Sequence, residues 1–168
     1  MTQPHEEWFD VVNERDEPVG LALRWEVHAR GLRHRAVLIF VFNAASQIFL
    51  QKRSMTKDVS AGLWTVSCSG HVDAGEDYDQ CAPRELREEI GLTVSQPLQR
   101  LFKINASAET EGEFVWVYRC ESEGPFQLNT DEIKRGERFA PERITSWIAE
   151  SPQDFAPAFV FIWSKLKL

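Results

Sequence analysis

The sequence has few cysteines and no long apolar segment. Its only cysteines are Cys68, Cys81 and Cys120, and an odd number at wide spacing does not form a disulfide framework. We therefore expect free thiols, as in a reducing cytosol. No apolar run approaches the roughly 20 residues of a membrane span, and residues 1–8 lack the apolar core of a signal peptide. These absences predict a soluble, cytoplasmic protein with no membrane partner.

Basic residues are also too few for a general nucleic-acid binder. Lys and Arg number 19 against 26 Asp and Glu, so the formal net charge is -7. Binding a phosphate backbone requires a basic surface, and we expect no nucleic-acid partner. A small phosphorylated ligand is different, because a few local cations and a metal ion can hold it despite a negative net charge.

Hydrophobic patterning predicts a mixed sheet flanked by helices. The run AVLIFVF at 36–42 is typical of a buried central strand. Further strands are predicted at 9–12, 19–23, 48–51, 63–68, 101–104 and 113–118, and helices at 141–149 and 158–165. No repeat or linker is visible, so we predict one domain over residues 1–168 with an α/β or α+β sandwich fold.

A further helix is predicted within residues 77–90. Apolar residues recur every four positions from Ala82 to Ile90 and form one buried stripe. Pro83 lacks an N–H and is tolerated only in the first turn of a helix. We therefore place the helix start near residue 79 or 80, with Asp79 as the N-cap.

Three carboxylates share one face of this helix. Glu85, Glu88 and Glu89 stand at positions i, i+3 and i+4, where like charges repel one another. Mg²⁺ takes one or two carboxylates together with substrate phosphates and waters. The pattern predicts a divalent-metal site, and a solvated acidic helix face is the alternative.

Other residues, at defined sequence spacings from these glutamates, favour the interpretation as a metal site. Gly70 permits a close approach of the backbone to a cation, and the planar guanidinium of Arg84 is suited to pair with a carboxylate and orient it. A solvated acidic face does not account for either residue, nor for Glu76 and Gly91 at their spacings.

The segment GHVDAGEDYDQCAPRELREEIGL, residues 70–92, resembles the Nudix box. That box reads Gly-x5-Glu-x7-Arg-Glu-U-x-Glu-Glu-x-Gly-U, where U is a bulky aliphatic residue, and every defined position matches. The resemblance implies the Nudix fold, an α/β/α sandwich with a mixed central sheet. It also implies Mg²⁺, with Mn²⁺ as the alternative, held by Gly70, Glu85, Glu88 and Glu89.

The same resemblance implies a reaction. It is the metal-assisted hydrolysis of a diphosphate linkage in a nucleoside diphosphate derivative or another small X-linked diphosphate. Arg84 would orient a glutamate, and the base that accepts the proton of the attacking water is either Glu85 or Glu113. The sequence does not choose between these two residues, nor does it specify the substrate, the number of metal ions or whether the protein is a homodimer.

Outside the box, the chain resembles the Nudix branch that includes type I isopentenyl-diphosphate isomerase. The likeness lies in the segments HRA at 34–36, QKRSMTK at 51–57, GLWT at 62–65 and EGE at 111–113, and in the Gly-His pair at 70–71. In that isomerase a histidine and glutamate cluster binds one metal. Matching positions here are His34, His71, Glu111 and Glu113, and His28 lies one residue out of register.

The isomerase likeness extends to the phosphate contacts. Arg53 and Lys57 match positions where that enzyme holds the substrate diphosphate. The sequence leaves open whether His28, His34 and His71 form a second metal site. The acidic pair at 131–132 is interpreted as a solvated turn, although loops in this region of Nudix proteins often reach the site.

Two departures oppose isomerase activity. The isomerase has its catalytic cysteine directly before the Gly-His pair, where this chain has Ser69. Cys68 lies one residue earlier, and on a strand that offset turns a side chain to the opposite face. The isomerase box is also degenerate, whereas this one is intact. We therefore predict a hydrolase, with an isomerase-like enzyme and a non-catalytic metabolite-binding module as alternatives.

Overall fold

The computed structural model describes residues 6–168. In chain order its elements are β1 (Trp8–Val12), β2 (Pro18–Leu23), α1 (Arg24–Arg30), β3 (His34–Phe42), β4 (Ile48–Arg53), β5 (Trp64–Thr65), β6 (Cys68–His71), α2 (Tyr78–Ile90), β7 (Gln99–Ile104), β8 (Glu113–Glu121), β9 (Ile133–Phe139), α3 (Pro141–Glu150), a 3₁₀ turn (Pro152–Asp154) and α4 (Pro157–Lys165). Within the described residues, no helix is both long enough and apolar enough to cross a membrane.

These strands form two sheets. β1 and β2 pair as an antiparallel hairpin, and the other seven strands form one sheet with the path β5-β4-β3-β8-β7, in which β6 also pairs with β3 and β9 with β4. The β3–β8 pairing is parallel and the other pairings of this sheet are antiparallel. The predicted mixed sheet is therefore confirmed.

The central strand β3 separates two hydrophobic cores. Its residues Val37, Ile39 and Val41 belong to the core that includes Leu86 and Ile90 of α2. The alternate residues, from Ala36 to Phe42, belong to a second core with α3 and α4. A continuous apolar strand is required because both of its faces are covered. The result is the predicted α/β/α sandwich.

Helix α2 begins earlier than predicted. Its N-cap is Asp77, whose carboxylate accepts the Gln80 N–H at 2.8 Å, while the Gln80 side chain accepts the Asp77 N–H at 3.0 Å. This reciprocal capping box makes Tyr78 the first helical residue. The prediction of Asp79 as the N-cap was wrong, and Pro83 lies in the second turn, not the first. The carbonyl deprived of a partner by Pro83 belongs to the exposed Asp79, where water can replace the lost bond.

The predicted strand 63–68 is divided into β5 and β6. Between them, the hydroxyl of Ser67 accepts the Val41 N–H at 2.8 Å and donates to the Phe49 carbonyl. It bridges β3 and β4 in a region where these strands do not pair directly. This bridge lets the chain leave the edge of β4 and continue along β3, which carries residues 68–71 to the site.

One α-helix and one strand were not predicted from the sequence. Helix α1 has seven residues, of which only Val27 is buried, so it shows no apolar stripe. Strand β9 reads IKRGERF, with four charged residues and a glycine. That glycine, Gly136, is needed because a Cβ there would lie 2.0 Å from the ring of Phe49. Both elements bear on the site, since α1 contributes His28 and the turn before β9 contributes Glu132.

The hairpin of β1 and β2 is attached to the sandwich through Asp16. Its carboxylate accepts hydrogen bonds from Arg35 Nε at 2.6 Å, Tyr78 Oη at 2.7 Å and Lys103 Nζ at 2.5 Å. Burial alone would raise the pKa of Asp16, but these bonds outweigh it and lower the pKa. The network holds the hairpin beside the loop that leads into α2, where the Ala74 N–H also bonds to the Trp8 carbonyl at 2.8 Å.

Candidate active site

Arg84 connects the loop before α2 with the glutamates on the helix. Its guanidinium binds both oxygens of Glu76, at 2.7 and 2.9 Å. It also donates to Glu85 Oε1 at 2.8 Å and to Glu88 Oε2 at 3.1 Å, and to the carbonyl of His71 at 3.1 Å. Arg84 thus fixes the positions of two of the three carboxylates, and it ties them to strand β6.

The three glutamates, Glu85, Glu88 and Glu89, are the carboxylate cluster. The Glu85 side chain is 12% exposed and that of Glu88 55%, while Glu89 is buried and accepts the Gln51 amide at 2.9 Å. Burial raises the pKa of Glu85 and Glu89 above the ordinary carboxyl value, and the charge of Glu89 adds to the effect on Glu85. A cation bound between them would offset both the burial and the repulsion.

The backbone of Gly70 lies directly against this cluster. A Cβ added to Gly70 would stand 2.0 Å from the carboxyl carbon of Glu85, so every other residue would displace that side chain. Glycine is therefore required for close approach. Carboxylate oxygens are the ligands that Mg²⁺ and Mn²⁺ prefer. The residues present fit the ion that the resemblance implies.

Three imidazoles converge next to the carboxylate cluster and form the histidine cluster, His28, His34 and His71. One potential ligand nitrogen from each lies within 4.8 Å of the others. The rings come from α1, β3 and β6, and Phe9 stacks against those of His34 and His71. Although His28 is out of register with the isomerase pattern, helix α1 brings it to the other two rings.

One nitrogen of the buried His34 makes no hydrogen bond within the described residues, although the Glu113 carboxylate lies 3.3 Å from it. Its Nδ1 lies 2.9 Å from the Leu32 carbonyl and must donate to it, which leaves Nε2 without a proton in the neutral ring. That Nε2 is buried and makes no hydrogen bond within residues 6–168. A buried lone pair aimed at other potential ligands, with the second ring nitrogen bonded to a carbonyl, is typical of metal-binding histidines.

Glu113 completes this group. Its Oε1 lies 3.0 Å from His71 Nε2 and 3.3 Å from His34 Nε2. Burial alone would raise the pKa of Glu113, but the neighbouring imidazoles outweigh it and lower the pKa to about 2. Burial, with repulsion from the other two rings, lowers the pKa of His28 to about 4. A neutral imidazole and an ionised carboxylate are the protonation states that bind metals.

Glu111 does not join the histidine cluster. It lies exposed in the turn before β8 with φ of 54°, and its side chain makes no hydrogen bond or ion pair with the described part of the chain. The glutamate two residues later, on β8, is the one that reaches the imidazoles. The resemblance pointed to both residues, and the strand geometry separates them.

Arg53 and Lys57 lie at the end of β4 and in the loop that follows. Arg53 Nε donates to the Val59 carbonyl at 2.9 Å and braces that loop. Lys57 Nζ stands 2.5 Å from Glu132 Oε2. The predicted turn at 131–132 is confirmed and Asp131 is exposed, but Glu132 is not simply solvated, because it is paired with a cation 75 positions away in the chain. No local pattern could have indicated that contact.

Cys68 lies in the interior. On β6 it is fully buried, pairs with Ile39 across the strands and belongs to the core under α2. Burial raises the pKa of its thiol well above the ordinary value. Ser69 is the next residue on the strand and is half-buried. All three cysteines of the chain are free thiols, as predicted.

Comparisons with known proteins agree with this fold. A family model described as the NUDIX domain matches residues 32–159. The protein named "Uncharacterized Nudix hydrolase YfcD" from Escherichia coli strain K12 is 34% identical, with 95% of this chain and 87% of that protein covered. An "Isopentenyl-diphosphate Delta-isomerase" from Pectobacterium atrosepticum is 31% identical, with 93% and 89% covered.

Solved structures give the same picture. The crystal structure of DR0079 from Deinococcus radiodurans superimposes with a TM-score of 0.77 at 32% identity, covering 86% of this chain and 90% of that one. The MutT protein from Methanosarcina mazei superimposes with a TM-score of 0.64 at 18% identity, covering 77% and 89%, and this second likeness concerns the fold alone.

Proposed function

Because this chain belongs to the Nudix family, we propose that it is a Mg²⁺-dependent hydrolase of a small diphosphate, with Mn²⁺ as the alternative metal. The substrate class is a nucleoside diphosphate derivative or a similar phosphorylated metabolite. The observation that supports this most is the packing of Glu85 and Glu88 on one Arg84 guanidinium, with Gly70 directly against Glu85.

Each residue of this site has a role that follows from its contacts. Glu85, Glu88, Glu89 and the Gly70 carbonyl would hold the cation, which when bound would neutralise phosphate charge and make the attacking water more acidic. Arg84 keeps the first two carboxylates in position through its fork of N–H groups. Arg53 and Lys57 would contact the diphosphate.

We assign to Glu85 the role of the base that accepts the proton of the attacking water. Of the two candidates, Glu113 is bonded to the imidazole of His71 and lies in the histidine cluster. A carboxylate with a pKa of about 2 is a weak base. Glu85 lies in the carboxylate cluster itself, where the cation and the attacking water would be bound.

We also propose that the histidine cluster binds Zn²⁺ or another of the transition-metal ions that favour imidazole ligands. Three imidazoles and the Glu113 carboxylate form a nitrogen-rich ligand set that suits these ions better than Mg²⁺. Gly70 and His71 are consecutive on β6, so this site borders the carboxylate cluster. The metal would stabilise the region where α1, β3, β6 and β8 meet.

An isomerase of isopentenyl diphosphate is the second candidate. The histidine cluster and the similarity to proteins with that name favour it. The position of the thiol opposes it, since Cys68 is fully buried in the core. Ser69 holds the position of the catalytic cysteine, and a hydroxyl is a far weaker acid than a thiol.

One experiment separates these candidates. The protein is incubated with nucleoside diphosphate derivatives and with isopentenyl diphosphate, in Mg²⁺, Mn²⁺ or EDTA. Released phosphate and monophosphate are measured by chromatography, and the allylic isomer by NMR. We expect metal-dependent hydrolysis that rises toward alkaline pH. Glu88→Gln should lower kcat at least about 100-fold, and Glu142→Gln, an exposed change on α3, should not.

Other outcomes would favour the other candidates. Formation of the allylic isomer without hydrolysis would favour the isomerase. Ligand binding with no turnover, unchanged by Glu88→Gln, would favour a binding module. Hydrolysis that persists in EDTA would contradict the assignment of the carboxylate cluster to a metal.

A further inference from the structure

The ion pair between Lys57 and Glu132 is unusually buried for two charged side chains. The two charged atoms are 2.5 Å apart, and the lysine side chain is only 14% exposed, against 35% for the glutamate. A lysine is seldom so far removed from water without a partner. Glu132 therefore neutralises a cation that would otherwise be left partly desolvated in the free protein.

The backbone places this ion pair beside the carboxylate cluster. The turn that carries Glu132 is bonded at one end to α2, through the Asn129 N–H and the Glu89 carbonyl at 2.8 Å. At the other end, the Ser54 N–H donates to the Glu132 carbonyl at 3.0 Å. The turn thus connects the end of α2, which carries the carboxylate cluster, with the loop of Lys57. The charge of Glu132 is near enough to raise the pKa of Glu89.

We propose that Glu132 is an internal competitor of the substrate: in the free protein its carboxylate occupies the position on Lys57 that a phosphate oxygen takes in the complex. This inference rests on the proposed function, which assigns Lys57 to the diphosphate. Carboxylate and phosphate oxygens accept the same charge-assisted bond from an ammonium group. Glu132 holds Lys57 oriented beside the carboxylate cluster, and the more highly charged diphosphate displaces it.

The proposed competition predicts the direction in which the affinity for a diphosphate changes. Glu132→Gln keeps an oxygen that can accept a hydrogen bond from Lys57 but removes the negative charge. Lys57 stays near its position and becomes more available to an anion. Breaking a partly exposed ion pair is worth about a fivefold change in affinity, so Glu132→Gln should bind a diphosphate about fivefold more tightly.

The probe is methylene diphosphonate with Mg²⁺, because its P–C–P link cannot be hydrolysed. Its affinity for the full chain is measured by calorimetry for the wild type, Glu132→Gln, Lys57→Met and the double variant. We expect Lys57→Met to weaken binding, and Glu132→Gln to have less than a twofold effect once Lys57 is absent. Such a cycle isolates the coupling between the two side chains. If Lys57→Met does not fold, Lys57→Gln takes its place.

Asp131→Asn is the matched control. It removes the same charge from the adjacent residue, whose exposed side chain makes no hydrogen bond or ion pair within residues 6–168. It should change the affinity less than twofold. Equal tightening by Asp131→Asn and Glu132→Gln, unchanged or weaker binding by Glu132→Gln, or the same effect with and without Lys57, would each overturn the proposal.

The failure of this inference can be told apart from that of the proposed function. Diphosphonate binding needs no turnover, so the predicted coupling in a protein that hydrolyses no diphosphate would support the competitor role and contradict the hydrolase. Metal-dependent hydrolysis, with diphosphonate affinity unaffected by Lys57→Met, would support the hydrolase and contradict the competitor role.

Discussion

Replacing Glu85 by glutamine should make the metal-free protein more stable while it impairs the metal site. The Glu85 side chain is 12% exposed and Glu89, one turn further along α2, is 9% exposed. Two carboxylates in such surroundings repel one another with little screening by water. Glutamine has nearly the same shape, so the change removes charge without leaving a cavity.

The magnitude follows from the helix geometry. Side chains one turn apart are about 5–6 Å from each other, and two like charges at that distance repel by about 3 kcal/mol at an effective dielectric constant of about 20. The substitution also weakens the hydrogen bond that Arg84 donates to residue 85, because the glutamine oxygen carries no full charge. This loss costs about 1.5 kcal/mol. The net gain is about 1.5 kcal/mol, which corresponds to about 4 °C in Tm for a chain of this size.

The gain in stability of the metal-free protein on Glu85→Gln should depend on pH. A carboxyl whose pKa is raised by folding binds more protons in the folded state than in the unfolded state. The metal-free wild type therefore loses stability as the pH rises from the ordinary carboxyl pKa toward the raised value. Glutamine does not titrate, so the advantage of Glu85→Gln is small at pH 5 and larger at pH 8, and it is complete only above the raised pKa of about 9.

Differential scanning calorimetry in EDTA at these two pH values tests the prediction. Glu88→Gln is the matched control, because its side chain is 55% exposed and should change the metal-free Tm by less than about 1 °C. Added Mg²⁺ should raise the Tm of the wild type more than that of Glu85→Gln. A lower Tm for Glu85→Gln than for the wild type at pH 8 in EDTA would refute the reasoning.

Three further predictions address other parts of the site. Gly70→Ala brings a Cβ to within 2.0 Å of the Glu85 carboxyl carbon, so we expect weaker Mg²⁺ binding in a titration, whereas Gly20→Ala, which meets no atom within 4 Å, should bind as the wild type does. Asp77→Ala removes the capping box of α2 and should lower the unfolding free energy by about 1 kcal/mol, measured in urea. His34→Ala should abolish Zn²⁺ binding measured by mass spectrometry of the protein–metal complex, and unchanged stoichiometry would exclude the histidine cluster as the ligand set.

Residues close together in the chain made part of the site predictable. Glu85, Glu88 and Glu89 share a face because helical geometry alone brings i, i+3 and i+4 together. The buried strand β3 was equally visible, since a continuous apolar run is the pattern of a strand covered on both sides. Each of these features depends on local periodicity, which a sequence shows directly.

The helix boundary illustrates where local reasoning fails. Asp79 looked suitable as an N-cap, but in the fold its carboxylate accepts bonds from Arg100 at 2.9 Å and Tyr118 at 2.7 Å. Those partners lie on β7 and β8, more than 20 residues away. With Asp79 engaged there, Asp77 caps the helix.

The sequence by itself therefore determined the central buried strand and the acidic face of α2, because both follow from contacts within a few residues. Only the tertiary structure decided that His28 joins the histidine cluster, that Cys68 lies in the core and that Glu132 reaches Lys57. The physical reason is that these contacts join segments far apart in the chain, and their distances depend on how the strands of the sheet are ordered and paired.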